Sequence, residues 1–400
     1  MRIIEVTVGE DESVRPPVTK RGSSVSDQDS SAIEIPAGLR PLDGRFGSGP
    51  SKVRPESVAA LSSVAGTYMG TSHRRRGVRA VVGRIREGLR ELFALPEGYE
   101  VVLGIGGATL FWDAMAFGLI SERSQHVVCG EFSAKCAAAV AAAPHLKEPQ
   151  TSESEPGSAS EPRSSDEVDL YALIQNETST GVAPRMGRPE GGVVAIDATS
   201  AAGGMTIDPA LFDAYYFSPQ KCFASDGGLW IAVFSPAAIE RIERIAASGR
   251  YIPPSLDLKV ALDNSRKDQT YNTPALATLF LMADQIDWIL SSGGLAWAAG
   301  RSRLSSSILY EWAEQRAFTT PFVAEPELRS PVVVTVDFAE SVDAAAVSKS
   351  LRANGIVDTE PYRKLGRNQL RIATYPSVDP DDVGSLTRCI DYVVDRLGGS

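Results

Sequence analysis

The chain has 400 residues, 43% of them hydrophobic and 22% charged, an ordinary balance for a folded chain with a sizeable core. That length exceeds what one small domain needs, so two domains are expected. A net charge of −10 argues against a nucleic-acid binder, because phosphate backbones demand clustered lysine and arginine.

The single basic cluster, Arg74-Arg75-Arg76 with Arg79, is short and suits a small anionic ligand. Cys129, Cys136, Cys222 and Cys389 match no zinc or CxxC spacing and no disulfide framework, so free thiols and no metal are expected. No apolar run reaches the ~18 residues of a membrane span, and the N-terminus lacks a signal peptide's apolar core. A cytoplasmic protein without membrane contact is the expectation.

Residues 1–31 read as a disordered extension: Ile3 to Val8 allows a brief strand, but Arg21 to Ser31 is rich in serine and aspartate and has little to bury. From about Val81 a regular alternation begins. It runs helix (Val81–Leu95), strand (Val101–Gly106), helix (Thr109–Leu119), strand (His126–Gly130) and an alanine-rich helix (Ser133–Ala142). Residues 150–167, rich in proline, serine and glutamate, read as a surface loop. Strands follow at Leu170–Gln175, Val193–Asp197, Ala214–Phe217 and Leu229–Phe234. Apolar strands alternating with helices imply an α/β fold with a mainly parallel sheet covered on both faces. Ligands then sit at the carboxyl ends of the strands. After Pro274 a long helix reaches about Leu290, with Gly293-Gly294 as punctuation. The remainder reads as a smaller α+β domain: a helix to about Trp312, strand Val332–Phe338, helix Val342–Ala353, strand Gln369–Thr374 and helix Pro380–Leu397.

Lys221 follows the aromatic strand Tyr215-Tyr216-Phe217, and Asp197 ends a strand upstream. A lysine and an aspartate at the ends of neighbouring strands suit pyridoxal phosphate chemistry, in which the amine holds the aldehyde and the carboxylate keeps the pyridine nitrogen protonated. Those two residues alone are equally compatible with an ordinary buried ion pair. Gly104-Ile105-Gly106-Gly107-Ala108-Thr109, between a strand and a helix, is either a phosphate cradle or a tight turn. It is not a GxGxxG fingerprint, since Thr109 stands where glycine is required. Asn176-Glu177-Thr178-Ser179-Thr180-Gly181 presents hydrogen-bonding groups at a strand end, or a capping turn. His73-Arg74 suits a dianionic group. Arg371 suits a carboxylate, although a solvent-facing charge on a strand is unremarkable. Tyr271-Asn272-Thr273-Pro274 reads most plainly as a helix N-cap with proline in the first turn.

Gly47-Ser48-Gly49-Pro50, Gly70-Thr71-Ser72-His73-Arg74, Asn176-Glu177-Thr178, Ser218-Pro219-Gln220-Lys221 and Tyr271-Asn272-Thr273-Pro274, in that order, resemble the phosphoserine aminotransferase family of class-V aminotransferases. The resemblance runs from about Gly44 to the C-terminus. It implies the fold of type I pyridoxal phosphate enzymes, with a large domain (32–291) on a mainly parallel seven-stranded sheet and a small C-terminal domain (292–400). Segment 32–55 would serve the active site and the small domain. It further implies amino transfer between L-glutamate and 3-phosphohydroxypyruvate, with pyridoxal 5′-phosphate as cofactor and a homodimer that shares its active sites.

Position by position, the resemblance makes Lys221 the Schiff-base lysine and Asp197 the partner of the ring nitrogen. Gly107, Ala108 and Gln220 would hold the cofactor phosphate, Phe132 would stack on the ring, and Thr178 would bond its oxygen. Asn272 and Thr273 would reach the partner's cofactor phosphate. His73 and Arg74 would receive the substrate's distal anion, and Ser48 and Arg371 its α-carboxylate. The chain departs from the family in placing Phe132 where tryptophan is common and Ala108 in place of an arginine. It also has Tyr362-Arg363-Lys364-Leu365-Gly366-Arg367 where a histidine-arginine pair is usual, leaving Arg363, Lys364 and Arg367 open as phosphate ligands. The alternatives on the same fold are a cysteine desulfurase or related lyase, which needs a mobile cysteine, and a non-catalytic cofactor-binding regulator, which needs a basic DNA-binding domain.

Overall fold

The computed structural model describes residues 33–398, so the extension expected over residues 1–31 lies outside the described residues. Helices α1 (Pro55–Tyr68) and α2 (Arg76–Leu92) come first. α1 precedes the point where the sequence pattern becomes regular. Only Ser57 and Tyr68 of it are buried, so it carries no apolar stripe to read. α2 starts five residues earlier than the pattern suggests, taking in Arg76 and Arg79, and buries Val78, Val81, Val82, Ile85, Leu89 and Leu92 along one face.

The chain continues through β1 (Glu100–Ile105), α3 (Ala108–Gly118), β2 (Ser124–Val128), α4 (Glu131–Ala141) and β3 (Gln150–Glu153). Next come β4 (Leu170–Ile174), β5 (Val193–Asp197), β6 (Ala214–Phe217) and β7 (Leu229–Phe234). These strands form one seven-stranded sheet in the order β1-β7-β6-β5-β4-β2-β3. Only β7 runs against its neighbours, pairing antiparallel with β1 and β6. The remaining six point the same way, so their carboxyl ends share one edge. β3 corrects the expectation of a plain loop over 150–167: Gln150-Thr151-Ser152-Glu153 has little strand propensity and is held by its parallel ladder to β2.

Strands β4 to β7 are buried at every position, which explains their unbroken apolar runs. On one face α2 packs against α7 (Leu276–Ser291), with Ile85 and Leu89 meeting Met282 and Ile286. A Cβ on Gly88 would lie 2.5 Å from Ile286 Cγ2, so glycine sets how closely these helices approach. The other face is covered by α3, α5 (Pro236–Ala246) and α6 (Leu258–Ser265), whose Phe111, Met115, Ile242 and Leu262 enclose Tyr216 and Trp230. The N-cap of α7 is Ala275, with no side-chain cap, so Asn272 and Thr273 do not have the capping role their spacing suggests.

After α8 (Gly294–Glu314), strands β8 (Thr319–Pro321), β9 (Val333–Phe338) and β10 (Gln369–Ala373) make an antiparallel three-stranded sheet in the order β10-β9-β8. Helices α8, α9 (Ala344–Ala353) and α10 (Pro380–Leu397) cover it around Leu309, Trp312, Leu351, Leu386 and Ile390. Ile35 and Phe46 from the start of the described chain join this second core. The segment then crosses between the sheets. Phe46 N–H donates to Val357 O at 3.3 Å and Ala373 N–H to Phe46 O at 3.0 Å, whereas Ser51 N–H donates to Gln220 O at 2.9 Å. Among the described residues, no helix is long and apolar enough to cross a membrane.

Candidate active site

The shared carboxyl edge of the large sheet opens onto a cavity of about 200 Å³. Five of the sheet's strands each deliver a segment to it: Gly106–Thr109 after β1, Phe132 after β2, Asn176 and Thr178 after β4, Asp197 at the end of β5, and Ser218, Gln220 and Lys221 after β6. Seven expected site residues therefore meet in one place: Gly107, Ala108, Phe132, Thr178, Asp197, Gln220 and Lys221. A larger cleft of about 800 Å³ lies near the start of α10, but it is an open groove in which most of the cations are already paired. Its Lys52 sits 3.4 Å from Asp43, Arg54 2.6 Å from Asp284, and Arg301 2.7 Å from Asp379.

Asp197 is buried and has no ion pair within 4 Å among the described residues. Burial pushes its carboxyl up, and hydrogen bonds from Thr199, Trp112 and Tyr216 oppose that rise. Thr199 N–H donates to Oδ1 at 2.9 Å and Trp112 Nε1–H to Oδ2 at 3.1 Å. Such a carboxylate is held in place by donors but not neutralised, and it wants a cation across the cavity.

Lys221 Nζ donates to Ser48 O at 2.6 Å. Burial pulls its amine down to about 8, and the Arg371 guanidinium adds to the drop. The amine is therefore partly neutral near pH 8, as a nucleophile or proton carrier must be. Arg371, on β10, donates from Nη1 to Thr178 O at 3.2 Å. Its guanidinium lies 5.4 Å from the Tyr362 ring, which meets the Phe132 ring edge-on at 5.8 Å. Ser48 Oγ and Arg371 Nε are both buried without a partner among the described residues, one hydroxyl and one N–H suited to a carboxylate.

At the start of α3, Gly107 has φ +87°, a conformation that favours glycine. Ala108 N–H donates to Ser218 Oγ at 2.7 Å. Thr178 Oγ1 donates to Ser200 Oγ at 2.8 Å, which in turn donates to Asn176 O at 3.1 Å. Within the cavity wall Asn176 Oδ1, Thr199 Oγ1 and Gln220 Oε1 are buried and unpartnered.

The remaining expected residues lie elsewhere on the chain. His73 Nδ1 is 3.3 Å from Thr273 Oγ1, and Arg74 Nη1 donates to Gln269 at 3.4 Å. Asn272 and Thr273 are exposed. This group forms a second cluster on an open face beside the exposed side chains of Met69 and Tyr271. Of the three cations left open, Arg367 forms a forked pair with Asp337 and covers the Phe322 ring at 4.5 Å, and Lys364 is paired with Glu131. Arg363 is exposed and makes no hydrogen bond or ion pair among the described residues. Sequence reasoning overlooked Trp112, Thr199, Ser200, Tyr216 and Ser218. Only Ser218 carried a signal, as part of the Ser218-Pro219-Gln220-Lys221 motif.

The Aminotransferase class-V family model matches residues 46–359. The chain belongs to that family. A protein of Mycobacterium leprae (strain TN) is 60% identical over 376 residues, covering 93% of this chain and 100% of its own length. A phosphoserine aminotransferase of Nocardioides sp. is 58% identical over 371 residues, covering 92% of this chain and 99% of its own. The structure of a phosphoserine aminotransferase from Cytophaga hutchinsonii matches with a TM-score of 0.80 at 22% identity, over 88% of this chain and 99% of that one, which establishes the fold. The chain is thus a pyridoxal phosphate-dependent aminotransferase of the phosphoserine aminotransferase family, as its motifs suggest.

The cavity fits that cofactor on its own chemistry. It offers a lysine, a buried acid lacking a cation, three orphaned polar atoms and the N-terminus of an eleven-residue helix.

Proposed function

We propose that the chain transfers an amino group between L-glutamate and 3-phosphohydroxypyruvate, giving O-phospho-L-serine and 2-oxoglutarate. The observation that carries the reading is a single cavity lined by both Lys221 and the buried Asp197. When bound there, pyridoxal phosphate supplies an aldehyde that condenses with amines and a ring that accepts the electron pair left at the substrate's α-carbon. Asp197 would keep the ring nitrogen protonated, which would also supply the cation that this carboxylate lacks. Backbone N–H groups of Gly107 and Ala108 and the side chain of Gln220 would hold the phosphate, with Ala108 N–H given up by Ser218. Thr178 would offer its hydroxyl, now on Ser200, to the ring oxygen, and Phe132 would stack on the ring. Lys221 takes up and returns the substrate's α-proton at Nζ. Ser48 Oγ and Arg371 bind the α-carboxylate.

His73, Arg74, Asn272 and Thr273 complete the site of a second subunit in a homodimer. That assignment is supported by their grouping outside the cavity that Lys221 lines, next in the chain to exposed Met69 and Tyr271. Both substrates carry a distal anion, so one cationic pocket serves both. The same reading divides the chain into 32–291 and 292–400, at the turn where Gly293 has φ +122°, and places the protein in the cytoplasm. The lyase alternative is disfavoured because all four cysteines are buried, and burial pushes the Cys222 thiol far up.

The test is to add glutamate to the purified holoenzyme and follow its visible band near ~420 nm. The band should fade and should return with 3-phosphohydroxypyruvate but not with pyruvate. A band indifferent to glutamate would refute the function.

A further inference from the structure

The segment Ser48-Gly49 passes directly over the catalytic lysine. A Cβ on Gly49 would lie 1.9 Å from Lys221 Nζ and 2.7 Å from Cε. The Ser48 carbonyl oxygen that accepts from Nζ at 2.6 Å also accepts from the Tyr375 hydroxyl at 3.0 Å. Tyr375 is wholly buried just beyond β10, and this is the hydrogen bond its hydroxyl makes. A buried hydroxyl needs some acceptor. This one shares the oxygen on which the lysine rests.

We propose that Tyr375 is a positioning residue for the transamination: its hydroxyl fixes the Ser48 carbonyl, and that carbonyl fixes the Lys221 amine whenever the amine is not joined to the cofactor. The inference rests on the proton-carrying role given to Lys221 above. A carbonyl oxygen only accepts, so it can bond Nζ as an ammonium or as a neutral amine. The neutral amine gives one N–H to Ser48 and keeps its lone pair for the substrate's α-proton. After taking that proton, the ammonium stays on the same oxygen until it gives the proton up. Without such a rest, a lysine on four flexible carbons must be brought back into line at every turnover. With two donors, the Ser48 oxygen has both lone pairs engaged and its direction is set. Arg371 cannot serve instead, because it repels the ammonium and is bonded to Thr178 O. The ionisable groups facing Nζ are Arg371 from β10, Asp197 from β5, Cys222 on the lysine's own turn, and Tyr375.

Tyr375→Phe keeps the ring and leaves Nζ bonded to Ser48, so the fold and cofactor content should be retained. In the holoenzyme, kcat should fall roughly 10- to 100-fold with KM for glutamate within about twofold. The isotope effect with α-deuterated glutamate should rise, because proton transfer becomes the slower step. A second measurement uses the cofactor-free protein. Acetylation of Lys221 by acetic anhydride is followed against pH by mass spectrometry, with wild type titrating near about 8. In the variant the Ser48 oxygen, relieved of its second donor, favours the ammonium, so the midpoint should rise by about 0.5 or more. The inference is overturned if kcat and the isotope effect are unchanged, if KM alone changes, or if the midpoint stays or falls. Should wild type itself not respond to glutamate, the proposed function fails instead. The acetylation midpoint, read without substrate or cofactor, still decides whether Tyr375 acts on Lys221.

Discussion

Relative to wild type, replacing Lys221 by methionine should favour the folded cofactor-free protein more at neutral pH than in alkali. Burial pulls the amine from its ordinary 10.5 to about 8, so the folded protein bears a penalty for the charged form. Full conversion of that drop gives about 3 kcal/mol. Lys221 keeps an accessible face on the cavity, and solvent screening there reduces the figure to about 2 kcal/mol. Below pH 8 the amine is protonated in folded and unfolded chains alike, and the whole penalty is present. Between about 8 and 10.5 the unfolded chain binds more protons than the folded one, so wild-type stability rises with pH. Above that window both forms are neutral and the penalty is gone. Methionine adds a pH-independent offset, because it loses the bond to Ser48 O and puts an apolar thioether in place of the polar end. The test is therefore the change in the difference between the two proteins. Urea unfolding of both at pH 7 and at about pH 10.5 should show the variant's advantage shrinking by about 2 kcal/mol, with equal slopes. A difference that does not move with pH would refute the buried-charge account of this lysine.

Gly49→Ala places a methyl 1.9 Å from Nζ at φ +144°. The lysine end can swing aside, so stability should fall by only about 1–3 kcal/mol while kcat falls at least roughly 100-fold, read by urea unfolding and steady-state kinetics. Trp112→Phe removes the indole donor to Asp197 Oδ2. Losing ~1.5–3 kcal/mol of support for the ionised acid should weaken cofactor binding about tenfold or more, measured by equilibrium dialysis. Arg367→Ala should leave kinetics unchanged because its guanidinium is committed to Asp337, whereas Arg363→Ala should raise KM for the phosphorylated keto acid. Mixing the inactive variants Lys221→Ala and Arg74→Ala under subunit exchange should restore up to about a quarter of wild-type activity, and no recovery would refute a shared site.

Much of the site was legible because the strands that build it are buried on both faces and end in motifs rich in glycine and polar residues. Val193–Asp197, Ala214–Phe217 and Leu229–Phe234 have in the structure the bounds their apolar runs suggest. The reversal of β7 was not legible, since a strand buried on both faces looks the same in either direction. α5 could have been found from Ser235-Pro236 and the spacing of Ile239, Ile242 and Ile245, with Ser235 Oγ accepting from Ala238 N–H at 3.2 Å. Trp112 and Tyr216 could not, because an aromatic residue in an apolar helix or strand reads as core. Their hydrogen-bonding atoms acquire meaning only once β5 sets Asp197 beside them.

The same distinction explains why the lysine's surroundings escaped the sequence while the lysine did not. Every contact that disciplines Nζ comes from the far side of the fold. Ser48 arrives on a segment whose preceding residues are hydrogen-bonded to Val357 and Ala373, Tyr375 follows β10, and Arg371 lies within it. Lys364, on the same connection, reaches Glu131 at the start of α4, next to Phe132. The groups that rest the amine, that would bind the α-carboxylate in the proposed function, and that close the rim are thus all tied to the smaller sheet. The cofactor's lysine and acid ride on the larger one. Any shift between the two sheets must alter the Ser48–Nζ bond and the Arg371–Thr178 bond together. Under the proposed function, binding of a substrate carboxylate by Arg371 and release of a competent amine would thereby be coupled through the packing of one sheet on the other.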